Sequence, residues 1–391
     1  MKSLNEKLNI LKKELETRKA RIMIIGLGSV GNYLLDYLMS SKDEGIDICV
    51  VGRNKDKMLS DINIVKVASM IRGQNRSQIS IIGNVDLENI SQIADAIKEY
   101  KPDFIVNSSR AYPGLKYGSI SWKNIRSYGI WTPLSIKYTR NIMQAYNQVD
   151  SNAIVINTSY SDAVIPWLKS AGKAYPDFGS GNINHLIPRF QFAVAEILGI
   201  DDYWNIDITF ATAHFHDVVI SKEGHTEGID MLIDIRYQNR KVDIDIRKMI
   251  EKCSISMPVD AKRNMMNASS NFEIIESILS AVRNKQIRKL HCPGVFGEIG
   301  GYPVIINGST DPISAYICED YFDIDSMRKK NRESIYLDGI ENIVDGTLIY
   351  TEELLSKVKN VFDVTLPKQV AFDDIDEIAK FIVGNIIEKN T

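Results

Sequence analysis

The chain has 391 residues, of which 44% are hydrophobic and 25% charged, with a formal net charge of -3 and a pI of about 6.0. That is the composition of a soluble globular protein with a sizeable core, long enough for one large or two medium domains. It lacks the basic stripe of a nucleic-acid or membrane-surface binder, and no apolar run reaches the ~18 residues of a membrane span.

Residues 1–20 read as an amphipathic helix. Ser3 and Glu6 make an S-x-x-E capping box, and Leu4, Leu8, Leu11 and Leu15 follow at helical spacing. This charged opening has no signal-peptide core, so the expected location is the cytoplasm. Over 21–175 short apolar runs alternate with amphipathic stretches. Strands are expected at "RIMIIG", "IDICVVG", "ISIIGNV", "DFIVNSS" and "NAIVINTS", with helices between them. The alternation predicts an α/β fold, a doubly wound parallel sheet of the Rossmann type. Residues 110–129 have no clear period and read as a long loop covering a site.

Residues 176–391 read as a second, α+β substrate domain. A helix is expected at "PRFQFAVAEILG", strands at "NIDITFATAHF" and "MLIDIRYQNRKVDIDI", and a helix at "NFEIIESILSAVRNK". A strand pair is expected at "GVFGEIGGYPVIING", turning at Gly300-Gly301, and a closing helix at 373–389. The four scattered cysteines, Cys49, Cys253, Cys292 and Cys318, suit reduced buried thiols better than disulfides or a zinc site.

"GLGSVG" places Gly26, Gly28 and Gly31 between a strand and a helix, with Ser29 and Val30 inside the turn. In that context the glycines let the backbone approach a pyrophosphate seated at the helix N-terminus. An NAD site carries an acid at the end of the second strand to bond the ribose 2′-hydroxyl. Here "VVGRN" puts Arg53 and Asn54 there, and a guanidinium suits a 2′-phosphate. NADP is therefore the expected cofactor, with NAD second. Asn107, Ser108, Ser109 and Asn157 end the fourth and fifth strands, where the nicotinamide side of the cofactor would lie.

The layout of residues 21–310 resembles the lactate/malate dehydrogenase superfamily. The residues that carry the resemblance are "GLGSVG", "INTSYSD", "GSGNINHLIPRFQFAVAEILG", "ATAHFHD" and "GEIGGYPVIING". The resemblance implies a substrate-carboxylate arginine at Arg189, before Phe190. It also implies a catalytic histidine at His214 or His216, 25 and 27 residues further on. Their alternation on an expected strand puts both on one face. A carbonyl-polarising arginine in the covering loop falls at Arg126, with Arg110 as second candidate. The family's histidine-orienting Asp has no Asp counterpart; His185 or Leu186 stands in its place, leaving Asp217, Asp162 or Asp177 as substitutes.

These features predict an NADP-dependent oxidoreductase acting on a carbonyl or imine carbon of a small anionic substrate. The expected partners are that substrate and further copies of the chain, as a homodimer or homotetramer, with no nucleic acid or membrane. The competing reading is a redox-neutral or non-catalytic NAD(P)-binding protein. A metal site of His185, His214 and His216 is conceivable, and the resemblance does not ask for one.

Overall fold

The computed structural model describes residues 1–41, 43–73, 77–258 and 260–390. Six strands, β1 (Ala20–Ile25), β2 (Ile46–Val51), β3 (Ile79–Ile82), β4 (Phe104–Asn107), β5 (Ile154–Asn157) and β6 (Phe178–Gly179), form one parallel sheet in the order β3-β2-β1-β4-β5-β6. Helix α1 (Leu4–Glu14) precedes β1. Helices α2 (Ser29–Ser40), α3 (Lys55–Arg72) and α4 (Ile90–Tyr100) connect the first four strands. Helices α5 (Gly114–Ile120) and α6 (Thr132–Gln148) lie between β4 and β5, and α7 (Ser161–Ser170) between β5 and β6.

Strand residues alternate between two cores. Met23, Ile25, Cys49, Val51 and Ile105 enter one, and Ile22, Ile24, Ile48, Val50 and Phe104 the other. Both sheet faces are therefore covered, as near-continuous apolar strands require. Chain order reverses between β1 and β4, which opens a cleft beyond their carboxyl ends.

A third core gathers Phe190, Phe210, Phe215, Ile235 and Met249. It belongs to α8 (Leu186–Leu198), β7 (Ile206–Ala211), α9 (His214–Glu223), β8 (Leu232–Tyr237), β9 (Arg240–Lys241) and α10 (Ile246–Glu251). Helix α11 (Asn264–Asn284) then returns to pack on α2. An antiparallel sheet of β10 (Ile287–Pro293), β11 (Gly301–Asn307) and β12 (Ser314–Ile317) follows. The chain closes through α12 (Ile324–Leu337), β13 (Ile340–Val344), β14 (Thr347–Tyr350), α13 (Glu352–Phe362), β15 (Gln369–Ala371) and α14 (Ile375–Ile382). Ile340, Leu348, Leu354, Val370 and Ile375 from this last stretch complete the first core.

Helix α1 has the expected capping box and is fixed from inside. Lys7, 1% exposed, donates to both Asp177 oxygens at 2.9 and 2.7 Å. The same carboxylate accepts the Val155 N–H at 2.8 Å.

Four local expectations are corrected. Residues 110–131 are largely helical: α5 runs into a π-turn over Ser121–Ile125 and a 3-10 turn over Gly129–Trp131. The arm that pairs with β11 is β10, and Val295–Gly297 is a 3-10 turn between the two. Strand β7 stops at Ala211, and His214 begins α9. His214 and His216 therefore lie about 200° apart around a helix and do not share a face. Two-residue β6 and the elements from α12 to β15 stand outside the sequence expectations.

Candidate active site

The glycine turn is built for close approach. Gly26 has φ +90°, a left-handed conformation that favours glycine. A Cβ on Gly31 would stand 2.2 Å from the Gly26 carbonyl oxygen, whereas a Cβ on Gly28 would meet nothing within 4 Å. From the end of β4, the Ser108 hydroxyl donates to the Gly26 carbonyl at 2.6 Å and holds the turn. Gly28 caps α2 without a side-chain hydrogen bond, so the first N–H groups of that helix are left for a ligand. Ser29 Oγ accepts from Asn264 at the start of α11 at 2.5 Å.

A cleft of about 700 Å³ runs past this turn, walled by Gly26, Gly28, Ser29, Val30, Arg53, Asn54, Ser108 and Ser109. Arg53 is exposed there. Asn54 caps α3, accepting the Lys57 N–H. An open glycine cradle, an uncapped helix N-terminus and an exposed guanidinium fit a dinucleotide with its pyrophosphate at α2. Asn107 and Asn157 lie apart from the cleft wall. They are fully buried, and their amides bond one another (3.0 Å) and Thr139 (3.1 and 2.9 Å). Their role is to brace the ends of β4 and β5.

The cleft leads to a second cavity of about 220 Å³, and Arg110, Gly114, Gly118 and Tyr128 line both. His185, Arg189, His214 and Asp217 face it. His214 Nδ1 is 2.8 Å from Asp338 Oδ2, and Asp338 is fully buried in the turn between α12 and β13. The same oxygen accepts Tyr160 Oη–H at 2.7 Å. Asp338 Oδ1 accepts the Tyr128 N–H at 2.7 Å. The Tyr128 and Tyr160 rings meet the imidazole edge-on, with centroids at 4.7 and 5.0 Å. The His214 N–H donates to Asp162 Oδ1 at 3.1 Å. The ring is thus fixed in the tautomer that carries its proton on Nδ1, and Nε2 has no protein partner among the described residues.

Burial disfavours a charged His214. The attraction and hydrogen bond of Asp338, with Asp162 and Asp217 behind, outweigh it, and the pKa lies above the usual 6.5. Burial pushes the Asp162 carboxyl up to about 6, against His214 and the Asn182 amide. Burial would raise Asp217 too, but His185, His214 and Arg189 hold it below the ordinary carboxylate value. Arg189 is 3% exposed. Its Nη1 donates to the Cys253 carbonyl at 2.8 Å, and its Nε has no partner.

Two other candidates, His216 and Arg126, fall outside the cavity. His216 is buried with Nδ1 at 2.7 Å from Ser334 Oγ and Nε2 at 3.2 Å from the Thr226 carbonyl. Burial pushes its pKa down to about 4, which marks a neutral packing residue. Arg126 turns outward and pairs with Glu223 (2.8 Å) and Glu227 (2.5 Å). Trp122 Nε1 joins Glu223 at 2.8 Å. This latch ties the covering segment to the end of α9, and Arg110 is the covering-segment arginine that faces the cavity. His185 lines the cavity, with Nδ1 at 3.8 Å from Asp217 Oδ2. His185, His214 and His216 do not gather around a metal-sized space. Among the described residues that geometry occurs at exposed Glu223, His225 and Glu227, where Arg126 already sits.

Sequence reading missed Asp338. The substitutes considered, Asp217, Asp162 and Asp177, do other work: Asp162 takes a backbone N–H of α9, Asp217 faces His185, and Asp177 holds Lys7.

Residues 22–117 match the family described as the saccharopine dehydrogenase NADP binding domain. No curated protein sequence matches the chain significantly. Among solved structures, the malate dehydrogenase of Cryptosporidium parvum superposes with a TM-score of 0.52 at 15% identity, covering 82% of this chain and 98% of that one. The malate dehydrogenase of Aeropyrum pernix gives 0.52 at 15%, covering 81% and 97%. The lactate dehydrogenase of Cryptosporidium parvum with lactic acid and β-nicotinamide adenine dinucleotide gives 0.52 at 16%, covering 81% and 95%. The chain shares the Rossmann-type fold of these malate and lactate dehydrogenases, and the segment over residues 22–117 matches an NADP-binding domain.

Proposed function

We propose that the protein is an NADP-dependent oxidoreductase acting at a carbon-heteroatom double bond of a small carboxylate. The observation that carries this is the His214–Asp338 pair, with a free Nε2, where the dinucleotide cleft opens onto a cavity holding a buried arginine. A bound nicotinamide would supply or accept the hydride. His214 gives a proton to the substrate heteroatom in reduction and takes it back in oxidation, and Asp338 stabilises the imidazolium between those events. Arg189 holds the substrate carboxylate. The helical segment 114–131 excludes water while its latch is closed.

Arg53 favours NADPH through the 2′-phosphate. NADPH should bind at least about tenfold more tightly than NADH, and Arg53→Ala should remove most of that preference in a fluorescence titration. Equal affinities in the unmodified protein would refute the NADP assignment. NADPH consumption with 2-oxo acids, supplied with and without amines, tests the reaction. His214→Ala should reduce it by about 100-fold or more, and unchanged turnover would reject His214 as the acid/base.

A further inference from the structure

Three residues that line the second cavity each carry a buried polar atom without a hydrogen-bond partner: Arg189 Nε, Asp217 Oδ1 and His185 Nε2. Leaving such atoms bare is costly, so their gathering around one cavity describes the ligand that would satisfy them. Arg189 Nε is a donor and calls for an anionic oxygen. Asp217 Oδ1 is an acceptor and calls for a donor. Asp217 follows His214 by three positions on α9, so the two side chains lie on the same helix face. Both line the cavity.

On α9 itself two acceptors therefore lie together at the cavity. One is His214 Nε2, whose other ring nitrogen is occupied by Asp338. The other is Asp217 Oδ1. A substrate hydroxyl has one proton and serves one of them. An ammonium or protonated amine has at least two and serves both. Charge argues the same way: Asp217 is 6% exposed and stays an anion beside His185 and Arg189, and a cationic nitrogen compensates a buried carboxylate better than a neutral hydroxyl does.

The geometry points to a 2-amino carboxylate, or the imine derived from it, as the substrate class: carboxylate on Arg189, nitrogen between Asp217 Oδ1 and His214 Nε2. This deepens the reading above and rests on it. In the oxidative direction the carbon bearing nitrogen loses a hydride, with both electrons of its C–H bond, to the nicotinamide dinucleotide. The nitrogen loses one proton to His214, and its electron pair closes the C=N bond. Reduction is the reverse. The exposed cations at the mouth, Arg110 and Lys222, are outside ion pairs among the described residues and would meet a further acidic group on the substrate.

Calorimetry on the full chain with oxidised dinucleotide tests this. Matched ligands differ at one atom: L-glutamate, L-2-hydroxyglutarate and 2-oxoglutarate, and likewise L-alanine, L-lactate and pyruvate. The amino member of a set should bind at least about tenfold more tightly than its hydroxy analogue. Asp217→Asn should erase that preference while hydroxy-acid binding changes little. Asp217→Ser, with folding of both variants checked by circular dichroism, guards against a collapsed helix start. Equal or better binding of the hydroxy acids overturns the inference. So does a preference that survives both folded variants, or a panel in which no amino acid binds. Dinucleotide affinity is measured in the same samples. Tight dinucleotide binding with amine-free reduction of 2-oxo acids would leave the oxidoreductase standing and remove this inference alone, whereas failure to bind dinucleotide would remove both.

Discussion

Asp338 gives His214 what its neighbours in sequence do not, a buried carboxylate 2.8 Å from Nδ1. The consequence is a pH dependence of definite sign. In the proposed reaction, reduction needs His214 protonated. Because its pKa lies above 6.5, kcat/KM for reduction should hold level at lower pH and fall as pH rises through that raised value. The groups that set the balance are Asp338, Asp162 and Asp217, with the Tyr128 and Tyr160 rings on either side. Asp338→Asn removes the largest attraction and leaves burial in place, so the fall should move to lower pH. A profile unmoved in the folded variant would show that Asp338 does not orient the acid. Arg189, His214 and His185 were legible because a helix start, a strand end and a known layout bracket them. Asp338 was not, because it lies 124 residues from its partner and residues near it have no functional pattern of their own.

At the scale of elements, the glycine turn shows why periodicity read the first half well. A strand that ends just before Gly26 and a helix that starts beside Gly28 leave little choice of conformation, and Gly31 must come within a Cβ's reach of the Gly26 carbonyl. Gly31→Ala should lower dinucleotide affinity by more than about tenfold by forcing the turn open, read by fluorescence titration; retained affinity would show that the cradle yields cheaply. Helix α9 shows the opposite case. "ATAHFHD" has strand-like alternation, yet Thr212 bridges to Gly301 and the chain turns at Ala213 into a helix. Tertiary pairing overrode local preference there. That change of period separates the two histidines, sending His214 to the cavity and His216 to Ser334. Segment 110–131 looked irregular for a related reason: a π-turn and a 3-10 turn interrupt its helices, so no single period survives.

The whole molecule is held together by contacts that cross the sequence from end to end. Lys7 of α1 reaches Asp177, which also fixes β5. Lys7→Ala strands that carboxylate without its cation and should cost about 3–5 kcal/mol of stability, seen as a fall in the chemical-denaturation midpoint; a loss below about 1 kcal/mol would make α1 an accessory. The closing segments behave alike, since α12 to α14 complete the core that β1, β2 and β4 begin. One result bears on synthesis. Asp338 leaves the ribosome well after the glycine turn, Arg189 and His214. A nascent chain that stops short of it would carry the glycine turn, Arg189 and His214, yet lack both the carboxylate at His214 Nδ1 and the segments that complete the first core. In the proposed reaction the histidine therefore waits until residue 338 is made and packed against it.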